Sequence, residues 1–406
     1  MRGVRRAIVT AVLLCAGFVA AMTRADAQSG VNLFEPTTLH DVNLWMNSRD
    51  AQQIRIHFDL NTHYPVDFVW GDTGTRVHNV SVRSRGGGSR NGVKLGLLVE
   101  FDRYASAQRL GGRRAVVLDN QWQDPPMLRE KVAMAMFTRM GVPAPLESSA
   151  RLSINNASQG VYAIVESLDE DFLTRIGAGG GYLYEFHWLR PYYFEDLGND
   201  LNAYPPLFEA RTHTTESISE LYSPLRQMIA AINEPSDTLW RSRVEQYVDL
   251  PQLLTHVAVE TFLSELDGLL GYAGLNNFYV YRPAGSTRHQ FFAWDRDNAF
   301  QGVDVSIFER ADQNVLVRRA LTYPDLYSFY LDVLEQTARA AAEDGFLDFQ
   351  IRSGAAVIEA AAALDNNTPY TQEQRLDAIA YLIDFARLRP GIVLKQVADA
   401  RAFSSR

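Results

Sequence analysis

The chain has 406 residues, 47% of them hydrophobic, a composition that supports one large folded domain or two closely joined lobes. Its formal net charge of −9 at pH 7 argues against nucleic acids and anionic membranes as partners, because both require a positive surface. Cys15 is the only cysteine, and it lies in a segment that we expect to be removed. Disulfides, thiolate nucleophiles and cysteine-ligated metals are therefore excluded from the mature protein.

Residues 1–27 have the features of a cleaved signal peptide. Several arginines precede an apolar run from Ala7 to Met22, and Ala25 and Ala27 have the spacing that signal peptidase prefers. The apolar run is shorter than the roughly 20 residues that a bilayer span needs. We therefore expect an exported protein, in the periplasm, at the cell surface or outside the cell, with no membrane span after cleavage.

The first half of the chain is predicted to be mainly sheet with one prominent helix. Alternating apolar residues predict strands over Ile54–Leu60, Val77–Val82 and Val93–Phe101. In the last of these, Lys94 should project from the face opposite the apolar residues. The remaining predicted elements are strands over Ala115–Leu118, Arg151–Ile154, Gly160–Val165 and Tyr182–Phe186, and a helix over Leu128–Met140.

The second half is predicted to be mainly helical, with one β-hairpin inserted. Apolar spacing predicts helices over Ile218–Ile232 and Leu254–Phe262, and a helical segment from Phe308 to the end of the chain. The hairpin strands are predicted over Asn277–Arg282 and His289–Trp294, joined by a turn rich in proline, glycine and serine. No solenoid-type repeat and no low-complexity linker divides these elements.

The open end of this hairpin is a candidate metal site. If Arg282 pairs with His289 across the turn, Asn276 lies opposite Asp295. Asp267 ends the preceding helix and is close enough in sequence to reach the same place. Carboxylate and amide oxygens are ligands for a magnesium ion that also holds nucleotide phosphates. The alternative is that these residues only cap and turn the chain.

A glycine-rich cluster lies between two predicted strands over residues 83–90, and Lys94 follows it. Glycine amides can approach phosphate oxygens closely, and a nearby lysine or arginine neutralises their charge. The alternative is a flexible hairpin turn. The order of glycine loop, lysine, helix, aspartate, asparagine and second aspartate is that of protein-kinase-like phosphoryl transfer, although the kinase sequence motifs themselves are absent.

Five stretches form a series along the chain: VRSRGGGSR (82–90), QGVYAIVESLDEDFL (159–173), GYLYEF (181–186), LNNFYVY (275–281) and FFAWDRDNAF (291–300). In this order they resemble the CotH kinase family, whose members are secreted or coat-associated and have an atypical protein-kinase-like fold. The resemblance implies an α+β fold with two lobes. A sheet-rich N-terminal lobe would span residues 28–190 and a helical C-terminal lobe residues 191–406.

The resemblance also implies site residues for ATP and Mg²⁺ (or Mn²⁺). Asp267 would be the catalytic aspartate, and Asn277 and Asp295 would hold the metal. The family's R-G-N-S-S motif is replaced here by R-G-G-G-S, and its usual paired lysines are reduced to one. The implied nucleotide-binding residues are Arg85, Gly86, Gly87, Gly88, Ser89, Lys94 and Glu166.

The leading interpretation is an exported kinase that transfers the γ-phosphoryl group of ATP to hydroxyls of a protein partner, such as a surface or coat protein. The rival is a catalytically silent surface or coat assembly module with the same fold, which the scarcity of ATP outside the cell favours. Retention of all the carboxylates favours the enzyme. A carboxylate-based glycosidase would also use paired acids, but nothing places a second acid across a sugar-binding cleft.

Overall fold

The computed structural model describes residues 30–404, so the predicted signal peptide lies outside the described residues. The chain forms two compact units, and each unit is made of several separate stretches of the sequence. The first contains the described residues up to Asn120 together with Glu147–Glu166 and Leu364–Asn367, and the second contains the rest. The lobes expected from the sequence are consecutive, and their boundary at residue 190 stays a prediction. The fold class, a mixed α+β protein with sheet-rich and helical regions, is confirmed.

The first unit is built around a closed seven-stranded barrel. Its strands are β1 (Leu39–Met46), β2 (Tyr64–Trp70), β3 (Thr75–Ser84), β4 (Leu97–Glu100), β5 (Ala115–Asp119), β6 (Glu147–Ile154) and β7 (Ala157–Glu166). Their order around the barrel is β1-β2-β3-β4-β5-β7-β6, with only the closing β1–β6 pair parallel. Alternate side chains such as Leu44, Phe68 and Val99 are buried, so the barrel interior is an apolar core.

The strand predicted over Ile54–Leu60 is wrong, because residues 54–56 are the last residues of a helix and residues 57–60 form a turn. Helix α1 (Ser48–Ile56) begins at Asn47, whose side chain accepts a hydrogen bond from the Arg49 amide. Of the alternating apolar residues, Ile54 is buried and Ile56 is exposed. The capping asparagine and one buried apolar residue therefore outweigh a period-two pattern of only four apolar residues.

The strand predicted over Val93–Phe101 is shorter than expected, since β4 begins only at Leu97. Lys94 lies in the turn before it, where the side-chain oxygen of Asn91 accepts hydrogen bonds of 2.9 Å from the amides of Val93 and Lys94. Asparagine favours such local turns over strand pairing. The placement of Lys94 on the outer face of a strand is therefore wrong, and its side chain is buried.

The second unit combines a four-stranded antiparallel sheet with most of the helices. Its strands are β8 (Tyr182–Phe186), β9 (Phe208–Ala210), β10 (Phe278–Arg282) and β11 (Gln290–Ala293), in the order β11-β10-β8-β9. The predicted hairpin register is confirmed, since Phe278 pairs with Ala293 and Tyr281 with Gln290. Continuing that register beyond the strands places Asn276 opposite Asp295 at the open end of the hairpin.

The predicted helices are confirmed with small changes of bounds. A capping box formed by Ser217 and Glu220 begins the helix predicted over Ile218–Ile232. None of the helices within residues 30–404 combines the length and hydrophobicity needed to cross a membrane. After α1 the helices are α2 (Arg129–Arg139), α3 (Glu170–Arg175), α4 (Ile218–Ile232), α5 (Asp237–Val244), α6 (Leu250–Phe262), α7 (Val315–Ala320), α8 (Pro324–Ala342), α9 (Phe346–Ala362) and α10 (Gln372–Ser404), with 3₁₀ turns at Leu201–Ala203 and Glu343–Gly345.

Candidate active site

The loop after α6 carries Asp267, and two consecutive asparagines hold its carboxylate. The side-chain amide of Asn276 donates to both carboxylate oxygens at 3.1 Å, and that of Asn277 donates to Oδ2 at 3.1 Å. The backbone amide of Asn276 also donates to the Gly268 carbonyl at 3.1 Å. The start of β10 therefore fixes the loop and orients the aspartate.

Asn277 and Asp295 flank the hairpin and share an unusual backbone conformation. Their φ angles are 54° and 52°, in the left-handed region. A non-glycine residue there costs about 1–3 kcal/mol, and such residues concentrate at functional sites. Because the nitrogen of the Asn277 side chain donates to Asp267, its oxygen is the atom left to bind a cation. Approach of the Asp295 carboxylate to that oxygen stays a prediction.

Buried charges surround this loop and change its acid–base properties. Burial raises the pKa of Asp267, against the opposing effect of its asparagine hydrogen bonds. Burial likewise raises the pKa of Glu265 to about 8, so this carboxyl is mostly protonated at neutral pH. Burial acts in the same direction on Glu260, but the charges of Arg296 and His256 prevail and lower its pKa. Asp267 is therefore a stronger base than an ordinary aspartate and is suited to accept a hydroxyl proton.

Lys94 is buried inside the first unit, in an ion pair that the sequence does not reveal. Its Nζ lies 2.7 Å from Oδ2 of Asp365, and both side chains are inaccessible to solvent. The same carboxylate oxygen accepts the Val161 amide at 2.9 Å, and the lysine ammonium lies 5.2 Å from the centre of the Tyr162 ring. Burial lowers the pKa of Lys94, and the Asp365 charge opposes that effect. A phosphate contact by Lys94 stays a prediction.

The glycine loop is exposed between β3 and β4. A hydrogen bond of 3.2 Å from the Arg90 amide to the Gly87 carbonyl closes the turn. Gly86 has a φ of 116°, which disfavours other residues, and a Cβ there would lie 2.9 Å from the Ser89 hydroxyl. On strand β7, Glu166 is buried and lies 3.2 Å from a guanidinium nitrogen of Arg113.

The predicted site residues thus fall into two groups. Asp267 and Asn277 are brought into contact in the second unit, and the hairpin register places Asp295 at the same end. The first unit contains the glycine loop, Lys94 and Glu166, with each of the last two paired to another residue of that unit.

Comparison with known proteins identifies the family. Residues 82–393 match the family model described as CotH kinase protein. The chain belongs to the CotH kinase family. The resemblance found in the sequence motifs is therefore confirmed.

Relatives in this family include two proteins of Bacillus subtilis (strain 168). Inner spore coat protein H is 26% identical over 312 residues, which cover 73% of this chain and 80% of the relative. Inner spore coat protein H-like protein is 32% identical over 78 residues, which cover 18% of this chain and 25% of the relative.

Two solved structures show weaker similarity to this chain. The Helicobacter pylori proinflammatory kinase CtkA has a TM-score of 0.36 at 11% identity, covering 79% of this chain and 95% of the other. HipA, from the toxin–antitoxin complex of Shewanella oneidensis MR-1 with HipB and operator DNA, has a TM-score of 0.33 at 11% identity, covering 73% and 64%. TM-scores this low do not establish a shared fold.

Several polar contacts of this CotH-family chain escaped sequence reasoning. Asp365 lies 271 positions from Lys94 along the sequence, and no local pattern links the two. Glu260 and Arg296 form a buried ion pair beside the Asp267 loop. A signal existed for both Glu260 and Arg296, because each is a charged residue within an otherwise largely apolar stretch, HVAVETFL and FFAWDRDNAF.

A cluster of metal-ligating side chains also lies on the β8–β9 strand pair. One ligand atom from each of Glu185, His187 and Glu209 lies within 4.8 Å of the others. The guanidinium of Arg211 lies 3.7 Å from Glu185 and 3.5 Å from Glu209. This arginine already supplies the positive charge that two facing carboxylates require, so the cluster is not assigned to a metal.

Proposed function

We propose that this chain is an exported phosphotransferase of the CotH kinase type, with a two-lobed, kinase-like arrangement, which transfers the γ-phosphoryl group of ATP to a hydroxyl of a protein partner. The observation that carries the proposal is the contact of the Asp267 carboxylate with the Asn276 and Asn277 amides. This contact places a base of raised pKa beside an amide oxygen that can bind a cation.

The donor set at the hairpin end fits a hard divalent cation. Asn277 contributes an amide oxygen and Asp295 a carboxylate, which are ligands that Mg²⁺ and Mn²⁺ prefer. Such an ion, when bound with nucleotide, neutralises charge on the phosphates. Asp267 orients the acceptor hydroxyl and takes its proton at the carboxylate. The exposure of Gly86–Gly88 supports phosphate binding, because glycine amides have no side chain of their own to hinder an approaching phosphate.

Two substitutions separate these roles. Asp295→Asn keeps the shape but removes a charge that faces the metal, so phosphoryl transfer should fall at least about 100-fold and Mn²⁺ binding should weaken. Asp267→Asn should reduce transfer as strongly and spare nucleotide binding, because the proton acceptor is lost while the glycine loop is unchanged. Transfer is measured from γ-labelled ATP to the chain itself and to casein.

Asp377→Asn is the matched control, because this aspartate is exposed on α10. It should transfer phosphate as the parent does. Parent-like transfer by both Asp295→Asn and Asp267→Asn would mean that these residues only cap and turn the chain. The enzymatic proposal would then fail.

A second candidate is a catalytically silent surface or coat assembly module. The burial of Lys94 against Asp365 favours it, because an ammonium inside an ion pair is not presented to phosphate. The name of the relative inner spore coat protein H supports coat or surface association for either candidate.

Thermal shift distinguishes the two candidates. A ligand that binds only the folded state raises Tm with the logarithm of its concentration over Kd. Millimolar ATP with Mg²⁺ should therefore raise the Tm of a kinase, whereas an unchanged Tm supports the assembly module.

A further inference from the structure

Arg296 lies between Asp295 and Asp297 in sequence and is completely buried. Its Nη2 donates to the Glu260 carboxylate and lies 3.1 Å from Nε2 of His256. A charged group in the interior needs a compensating partner, because loss of its hydration is costly. Glu260, which is buried as well, supplies that partner.

Glu260 bonds two separate segments that both reach the candidate site. Its Oε2 accepts the backbone amide of Leu269 at 3.0 Å, two residues after Asp267. Its Oε1 accepts from Arg296, the neighbour of Asp295. One buried carboxylate therefore links the loop of the candidate base to the hairpin end that carries a candidate metal ligand.

Gly268 brings the backbone of the loop directly against this ion pair. A Cβ at this position would overlap the Glu260 carboxylate and lie 2.8 Å from Nη1 of Arg296. No side chain fits between the loop and the pair. The residue that follows Asp267 is consequently in close contact with both charged groups.

The composition of the pair does not suit a purely stabilising role. Within the part of the chain that the structure describes, Nε and Nη1 of Arg296 are buried without a hydrogen-bond partner. Unsatisfied donors are costly, and a buried salt bridge is by itself weak evidence for stability. A costly pair next to the strained backbone of Asp295 points to a positional role.

We propose that Glu260 and Arg296 are positioning residues that hold Asp267 and Asp295 in a fixed arrangement. This inference rests on the proposed function, because it concerns the same site and the cation that the site would take. In this role neither residue contacts substrate or metal. Loss of the pair should loosen both segments and weaken divalent-cation binding without unfolding the chain.

The test is the double substitution Glu260→Gln/Arg296→Met in the full chain. It removes both charges and keeps an amide oxygen for the Leu269 N–H. We expect a Tm close to that of the parent, since neutral replacement of a buried ion pair is often tolerated. Mn²⁺ binding, measured calorimetrically without nucleotide, should weaken about 10- to 100-fold. Hydrogen exchange should become faster in residues 265–269 and 294–298, with the barrel unchanged.

The control is Asp348→Asn/Arg352→Met, which removes an exposed ion pair of 2.7 Å on α9. Its Mn²⁺ affinity and exchange should equal those of the parent. A folded Glu260→Gln/Arg296→Met variant with parent-like Mn²⁺ affinity and exchange would overturn the proposal.

Arg296→Lys decides the matter if the double variant does not fold. It keeps the charge but replaces the planar guanidinium, so Mn²⁺ binding should weaken about tenfold and exchange should still accelerate. Parent values for both would overturn the positional role. A parent protein that binds no Mn²⁺ contradicts the proposed function instead, and the exchange comparison alone then tests positioning.

Discussion

Gly160 is the residue on β7 against which the Asp365 carboxylate packs. Its φ is +96°, and a Cβ would overlap that carboxylate. Gly160→Ala should therefore combine backbone strain with displacement of the acid paired to Lys94. We expect a loss of about 2–4 kcal/mol in the free energy of unfolding, measured by chemical denaturation.

Gly74→Ala is the matched control for Gly160→Ala. Gly74 has a similar left-handed backbone, with a φ of +70°, but a Cβ there would meet nothing within 4 Å. The control should cost only about 1 kcal/mol. Equal losses for the two substitutions would show that contact with Asp365 contributes nothing.

His289 predicts a pH dependence of stability. It is completely buried, with Nδ1 2.9 Å from the Tyr247 carbonyl oxygen and the Arg282 charge nearby. Burial lowers the pKa of His289 to about 4. An unfolded histidine binds its proton near pH 6.5, so the unfolded state gains protons first as the pH falls. The free energy of unfolding should decline between about pH 6.5 and 4, by up to about 3 kcal/mol.

The measurement for His289 is the free energy of unfolding at pH 7 and pH 5 for the parent and for His289→Gln. The parent should lose more stability on acidification than the variant, because in the variant position 289 carries no group that titrates in that range. Parallel losses in the two proteins would assign the acid sensitivity to other groups.

Among the helices, α10 is bonded to the end of α6 through Arg389. Arg389 is completely buried, and its guanidinium donates to four carbonyls: those of Thr261 and Phe262 at the end of α6, and those of Val303 and Val305. Orphan carbonyls at a helix end need such donors. Arg389 therefore fixes the end of the helix from which the Asp267 loop departs.

Arg389→Met should reduce the free energy of unfolding by about 3 kcal/mol or more, because the hydrogen bonds from the guanidinium to four carbonyls are lost. Arg389→Lys should recover little of this, since an ammonium cannot reproduce the planar fork. Denaturant titration measures both. Arg387→Met is the control, because Arg387 is exposed and bonds to Asp384 within its own helix.

At the scale of the whole molecule, the export prediction concerns the N-terminus. We expect the mature protein to begin at or near Gln28 and to fold without an oxidant, because cleavage removes Cys15. Mass spectrometry of exported material measures the terminus directly. A mature chain that retains Cys15 would contradict the prediction.

Local patterns in the sequence determined the elements with strong periodicity or turn chemistry. The β10–β11 register followed from alternation on both sides of a short turn, and that register placed Asn276 opposite Asp295. The strand over Ile54–Leu60 failed because four alternating residues carry less information than a capped helix turn. The family was equally accessible, since its motifs are contiguous stretches.

The pairing of buried charges became visible in the folded chain alone. Lys94 meets Asp365, and Glu260 meets Arg296, across long separations in sequence. Such pairs produce no periodic pattern in the sequence. A buried ion requires one partner at one place, and that partner can come from any segment of the chain. The family, the hairpin and the candidate aspartates could therefore be predicted from local sequence patterns. The folded structure was needed to show that Lys94 is buried and that the buried Glu260–Arg296 ion pair contacts the Asp267 loop.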